Sequence, residues 1–134
     1  MATISSIYQG QLRIQSTHLG SGNQIITDAP LDNHGRGEAF SPTDLVCAAL
    51  GSCMMTIMGI LADREGIDLI GTKIDITKTM SVAPRKIAQI DVMMHISNKN
   101  LTDDQKLKLE RAAHTCPVAL SLHPDVIQKM EFIY

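Results

Sequence analysis

Leu45 to Ala62 reads LVCAALGSCMMTIMGILA, eighteen residues without an Asp, Glu, Lys or Arg. A helix that is apolar on every side has two homes, a bilayer or the inside of a protein. The stretch sits at the lower limit for crossing a membrane, about 18 residues. Gly51, Ser52, Thr56 and Gly59 interrupt it, and no second stretch resembles it. Asp44 precedes it and Asp63-Arg64-Glu65 follows, so no basic cluster marks a cytoplasmic side. The segment therefore predicts a buried core helix and no membrane partner. Such a helix needs cover all round, and a chain of 134 residues has few elements to supply it. A dimer that shares two central helices meets that need, because obligate interfaces resemble a domain core cut in half.

The rest of the chain patterns as α+β, one domain over residues 1–134. Residues 4–16 read as strand with a turn at Gly10, then a turn at His18–Gly22 and a short strand at Gln24–Thr27. Asp28 to Phe40 is a long loop rich in Asp, Asn, Gly and Pro. Ser41 is the candidate N-cap of the apolar helix, with Pro42 at its first position and Asp44 three past the cap. Gly66 should end it after Glu65. Leu69–Ser81 and Ile87–Ser97 alternate as an antiparallel hairpin around Ala83-Pro84-Arg85, with Ile90, Val92, Met94 and Ile96 on one face. Thr102 to Gln105 is a capping box, Leu107, Leu109, Ala112 and Ala113 form an apolar stripe, and Pro117 should break that helix. Val118–Leu122 adds a turn, and Val126–Tyr134 reads as an edge strand.

Composition removes several functions. Net charge is −2 with no basic run, and there are no Trp, two Tyr and two Phe, which excludes a basic stripe or stacking platform for nucleic acid. The five histidines are scattered, with no CxxC or HExxH, so no metal site is expected. The N-terminal MATISSIYQG lacks a basic stretch followed by an apolar run, which predicts no secretory signal. Three cysteines, an odd number, do not suggest a secreted disulfide framework, so a reduced cytoplasmic protein is expected.

The cysteines then carry the remaining information. Cys47 and Cys53 are six residues apart on one helix, about 600° of rotation, and face different ways. Cys47 reads as packing. Cys53 alone does too, unless a cation stands close, since a thiol among apolar groups resists ionisation. Arg13 and Arg36 are the upstream candidates, and Glu38 or Asp44 can hold such an arginine in a bidentate pair. Cys116 lies directly before Pro117. If it caps a new helical turn, the free N–H groups there favour its thiolate.

The stretch SPTDLVCAALGSC, the apolar helix it opens and the later CPVALSL resemble the osmotically inducible protein C and organic hydroperoxide resistance (OsmC/Ohr) family. That family opens a long helix with (N/S)P, carries a Cys eleven residues after the Pro, and a second Cys, often before Pro, about sixty residues on. Pro42, Cys53 and Cys116-Pro117 match. The resemblance implies antiparallel sheets wrapped around a long buried central helix, an intertwined homodimer, and no cofactor. It also implies a peroxidase of organic hydroperoxides. Cys53 would become a sulfenic acid, Cys116 would resolve it as a disulfide, and an external dithiol would restore both. Apolar, Met-rich surroundings would favour alkyl or lipid hydroperoxides over hydrogen peroxide. Organic hydroperoxide resistance proteins place Glu after the helix-opening Pro, where this chain has Thr43. Arg13 lies near the place those proteins use for an arginine, which favours Arg13 with Glu38. Two readings without catalysis compete: a dimer that binds small apolar or thiol-reactive molecules, and a structural dimer with inert cysteines.

Overall fold

The computed structural model describes all 134 residues. They form two compact units, Met1–Val46 and Cys47–Tyr134. The first is a three-stranded antiparallel sheet in the order β1 (Ile4–Gly10), β2 (Arg13–His18), β3 (Gln24–Asp28). The expected turn at Gly10 is there and widens into Gln11 and Leu12, all three at positive φ. The β2–β3 register sets Arg13 directly opposite Asp28.

The loop after β3 is tied down at both ends. Asp28 N–H donates to the Phe40 carbonyl at 3.1 Å, and Gly37 N–H to that of Ala29 at 3.2 Å. A single 3-10 turn, Leu31–Asn33, occupies its tip. Gly35 has no room for a side chain, since a Cβ there would run into the Ala29 carbonyl.

The apolar helix α1 spans Pro42–Glu65. Its cap forms as the sequence requires: Asp44 N–H donates to Ser41 Oγ at 3.1 Å, and Ser41 N–H to Asp44 Oδ2 at 3.0 Å. Gly66, at φ +69°, ends it.

In the second unit, β4 (Lys73–Val82) and β5 (Arg85–His95) make the expected antiparallel hairpin. Helices α2 (Asp103–Ala113) and α3 (Pro117–Ser121) follow, then β6 (Ile127–Ile133). The Thr102–Gln105 capping box forms on both sides. One feature departs from the expectation of antiparallel sheets. β6 does lie at an edge, in the order β4-β5-β6, but it runs parallel to β5. The α2–α3 segment supplies the crossover that a parallel neighbour demands.

The core lies in this unit. Leu50, Met54 and Met58 of α1 are fully buried beside Ile90, Val92 and Met94 of β5, with Leu109 and Ala113 of α2. Gly51 lets α1 approach β4, where a Cβ would stand 2.5 Å from Ile76 Cδ1. The helix is not enclosed on every side, however. Within one chain its buried residues are Cys47, Leu50, Gly51, Met54, Met58 and Ala62, while Ile60 is half exposed. The expectation of a buried central helix holds for one face of a single chain.

Candidate functional site

The two thiols singled out by the sequence meet inside the second unit. Cys53, on α1, is partly exposed. Cys116 has no exposed surface and is the N-cap of α3, its Sγ accepting the Ala119 N–H at 3.3 Å. Cys53 packs against the core that holds Cys116 and is near enough to influence its thiol. None of the three cysteines is in a disulfide. Cys47 is buried in the core, as packing requires.

The cap forms as expected, but its effect on Cys116 is outweighed. Burial pushes the Cys116 thiol up from its ordinary value, the Ala119 N–H pulls it down, and the Cys53 neighbour adds to the rise. Capping was expected to favour the thiolate, and desolvation of a fully buried sulfur wins instead. The pair is therefore asymmetric. One thiol is accessible and the other is enclosed, and only an accessible thiol can meet a substrate first.

In the first unit the structure builds a guanidinium clamp. Arg13 Nε donates to Asp28 Oδ1 at 2.7 Å and Arg13 Nη2 to Asp28 Oδ2 at 2.8 Å, a bidentate pair. Glu38 Oε1 stands 3.7 Å from Arg13 Nη2. The expected Arg13–Glu38 pair is thus present as a loose contact, with Glu38 66 % exposed and Asp28 1 % exposed. The backbone N–H of Glu38 donates to Asp28 Oδ2 at 3.1 Å. Of the alternatives, Asp44 serves the α1 cap. Arg36 lies on the loop with its Nε buried and unpaired, and its charge acts on Asp28.

Asp28 is the residue that sequence reasoning missed. It stands at the start of a polar loop, where an Asp looks like turn chemistry. Pairing the two strands by register would have found it, since Arg13 and Asp28 are Cα partners.

Arg13, first by its hydrogen bonds, holds the Asp28 carboxyl below its ordinary 3.8; burial opposes this, and the Glu38 N–H and the Arg36 charge add to it. The sign follows from linkage. A carboxyl depressed in the folded state adds stability above its ordinary value and loses it as pH falls through the depressed one. The advantage of the wild type over Asp28→Asn in thermal melts should therefore shrink below pH 3.8. A gap that stays constant down to about pH 2 would contradict the clamp.

Two three-stranded sheets, one long apolar helix and two neighbouring thiols, one open and one enclosed, define an α+β protein built around a thiol pair. The profile of the OsmC-like protein family matches residues 35–130, and the chain belongs to that family. A crystal structure from Psychrobacter arcticus 273-4, of a proposed osmotic stress induced and detoxification response protein, is 46% identical. It aligns over 98% of this chain and 96% of that one with a TM-score of 0.95. An organic hydroperoxide resistance protein OsmC from Legionella pneumophila shares the fold at 18% identity, covering 98% and 95% of the two chains at a TM-score of 0.76. The organic hydroperoxide resistance protein OhrB of Bacillus subtilis does so at 19%, covering 98% and 97% at 0.68. No curated protein matches the chain.

Proposed function

We propose that this protein is a thiol-dependent peroxidase of organic hydroperoxides. The observation that carries the reading is a partly exposed Cys53 beside a fully enclosed Cys116 in one core. The Cys53 thiolate attacks the distal oxygen of the hydroperoxide and the O–O bond breaks. The alcohol leaves after taking a proton, and Cys53 is left as a sulfenic acid. The Cys116 sulfur then attacks the Cys53 sulfur and displaces water, closing a Cys53–Cys116 disulfide. An external dithiol reopens it by exchange and is itself oxidised to a disulfide. Membership of a family that includes organic hydroperoxide resistance proteins supports this course. In the same reading Arg13 and Glu38 are further catalytic residues, and the protein works in the reduced cytoplasm.

We further propose that the working form is a homodimer. Unit 1 leaves Ile4, Ile7 and Tyr8 of β1 more than half exposed, and Ile25 and Ile26 of β3 more than 40 % exposed. Along α1 an open groove of about 560 Å³ is lined by Met55, Thr56, Gly59, Ile67, Leu69 and Ile70. A second copy has the apolar helix and sheet faces that would cover both. Sedimentation at the mass of a single chain would sink this proposal.

The peroxidase is tested by mapping thiols in the reduced protein after one equivalent of cumene hydroperoxide. Rapid loss of two thiols with a Cys53–Cys116 crosslink is the expected result. Thiols that oxidise no faster than free cysteine would refute it.

A further inference from the structure

We propose that the short helix α3 is a redox-sensitive cover over Cys116: it holds while that thiol is reduced and loosens when Cys116 joins Cys53 in a disulfide. Little else holds this helix. It has five residues, none of them fully buried. Helices shorter than about 12 residues are marginal on their own, because nucleation is costly. Pro117 brings no N–H, so the first donors of α3 are Val118 and Ala119. The Ala119 N–H goes to Cys116 Sγ at 3.3 Å, and the Leu120 N–H to the Cys116 carbonyl at 3.2 Å. Ser121 Oγ donates to the Pro117 carbonyl at 2.7 Å, and Gln128 Nε2 of β6 to that of Ala119 at 3.0 Å.

The cap and the disulfide compete for one sulfur. A cap takes an N–H that has no partner inside the helix. Unbonded sulfurs rest at van der Waals distance, so joining them closes a gap of about 1.5 Å. One of the two has to move. Cys53 is carried by the 24-residue α1, whose Leu50, Met54 and Met58 are fully buried and whose Gly51 lies against Ile76. Cys116 is carried by the joint between α2 and the five-residue α3. The motion therefore falls on Cys116 and takes its sulfur away from the Ala119 N–H. A disulfide sulfur also has no thiolate charge to strengthen such a bond. Without its cap the first turn of α3 opens. Val118 and Ala119, packed against the core in the reduced chain, come loose. A sulfur with no exposed surface then gains the access that thiol exchange requires.

Two thiols give up two protons and two electrons for one S–S bond. The cover rests on the disulfide of the peroxidase reading above, so the test makes that bond with diamide. Diamide takes up the protons and electrons, becoming a hydrazine, and needs no peroxidase activity. Hydrogen–deuterium exchange of the full-length protein, read by mass spectrometry over residues 118–122, is compared before and after crosslinking, with α2 as internal reference. Exchange over 118–122 should rise about fivefold on oxidation, the scale of a lost N-cap, while α2 stays unchanged. Reduced Cys116→Ala should show the same rise without oxidant. Cys116→Ser keeps a capping side chain and should not. Cys53→Ser treated with diamide should exchange like the reduced wild type.

If Cys116→Ala does not fold, Cys116→Ser beside the crosslinked wild type carries the comparison. Unchanged exchange over α3 in the crosslinked protein, an equal rise across α2, the same rise in Cys53→Ser, or a folded Cys116→Ala that matches the wild type each overturns the proposal. So does a wild type in which diamide leaves Cys53 and Cys116 unlinked. A wild type that crosslinks with diamide and ignores cumene hydroperoxide overturns the peroxidase reading alone, and the exchange over α3 then decides the cover by the same criteria.

Discussion

Cys53→Ser should lose the reduction of organic hydroperoxides by about three orders of magnitude or more, as removal of a nucleophile does. It should also leave Cys116 reduced after peroxide is added. Cys116→Ser should behave differently. Its Cys53 still meets the substrate, so one equivalent of hydroperoxide is consumed at close to the wild-type rate. The sulfenic acid then has no neighbour to condense with, and it accumulates as a species trapped by dimedone. The split follows from exposure, because Cys53 is partly open and Cys116 is not. Single-turnover assays beside mass spectrometry read both outcomes. Equal loss of the first turnover in the two variants would reverse the assignment of attacking and resolving thiol. The apolar surroundings add a second reading of the same assay, a faster first turnover with cumene hydroperoxide than with hydrogen peroxide. Equal rates would remove the substrate preference and leave the thiol cycle standing.

Leu50→Ala should cost about 2–5 kcal/mol of stability, the range for a buried leucine cut to alanine. Leu50 has no exposed surface and belongs to the same core as Met54, Met58 and the inner face of β5. A cavity there has little scope to collapse, since Gly51 already brings α1 hard against Ile76. Urea unfolding should show a lower midpoint with an unchanged slope, the signature of lost stability without a changed unfolded state. A loss under about 1 kcal/mol would mean that the α1 face opposite β5 is loosely packed.

What was legible in the sequence was local. The limits of α1 follow from Ser41, Pro42 and Asp44 at one end and Gly66 at the other, because capping bonds join residues three apart. The inner face of β5 follows from alternation alone, and Ile90, Val92, Met94 and Ile96 are all buried. Cys116 as a cap follows from the proline after it. Where distant segments meet, the reading stopped. The parallel course of β6 depends on where α2 and α3 deliver the chain, which no pattern within Val126–Tyr134 encodes. Asp28 took its role from a partner fifteen residues away in sequence. The direction of the Cys116 shift depends on what covers the sulfur, and burial outweighs the downward pull of a cap visible in the sequence.

The loop between β3 and α1 is closed by bonds at its base, from Asp28 to Phe40 and from Gly37 to Ala29. Arg13, Asp28 and Glu38 all lie outside its tip, Leu31–Asn33, where Leu31 is exposed. The entropy of closing such a loop grows only with the logarithm of its length, about 0.6 kcal/mol per doubling. The tip is consequently a place where the chain can gain residues, or accept a grafted peptide or label, while the arginine below keeps its setting.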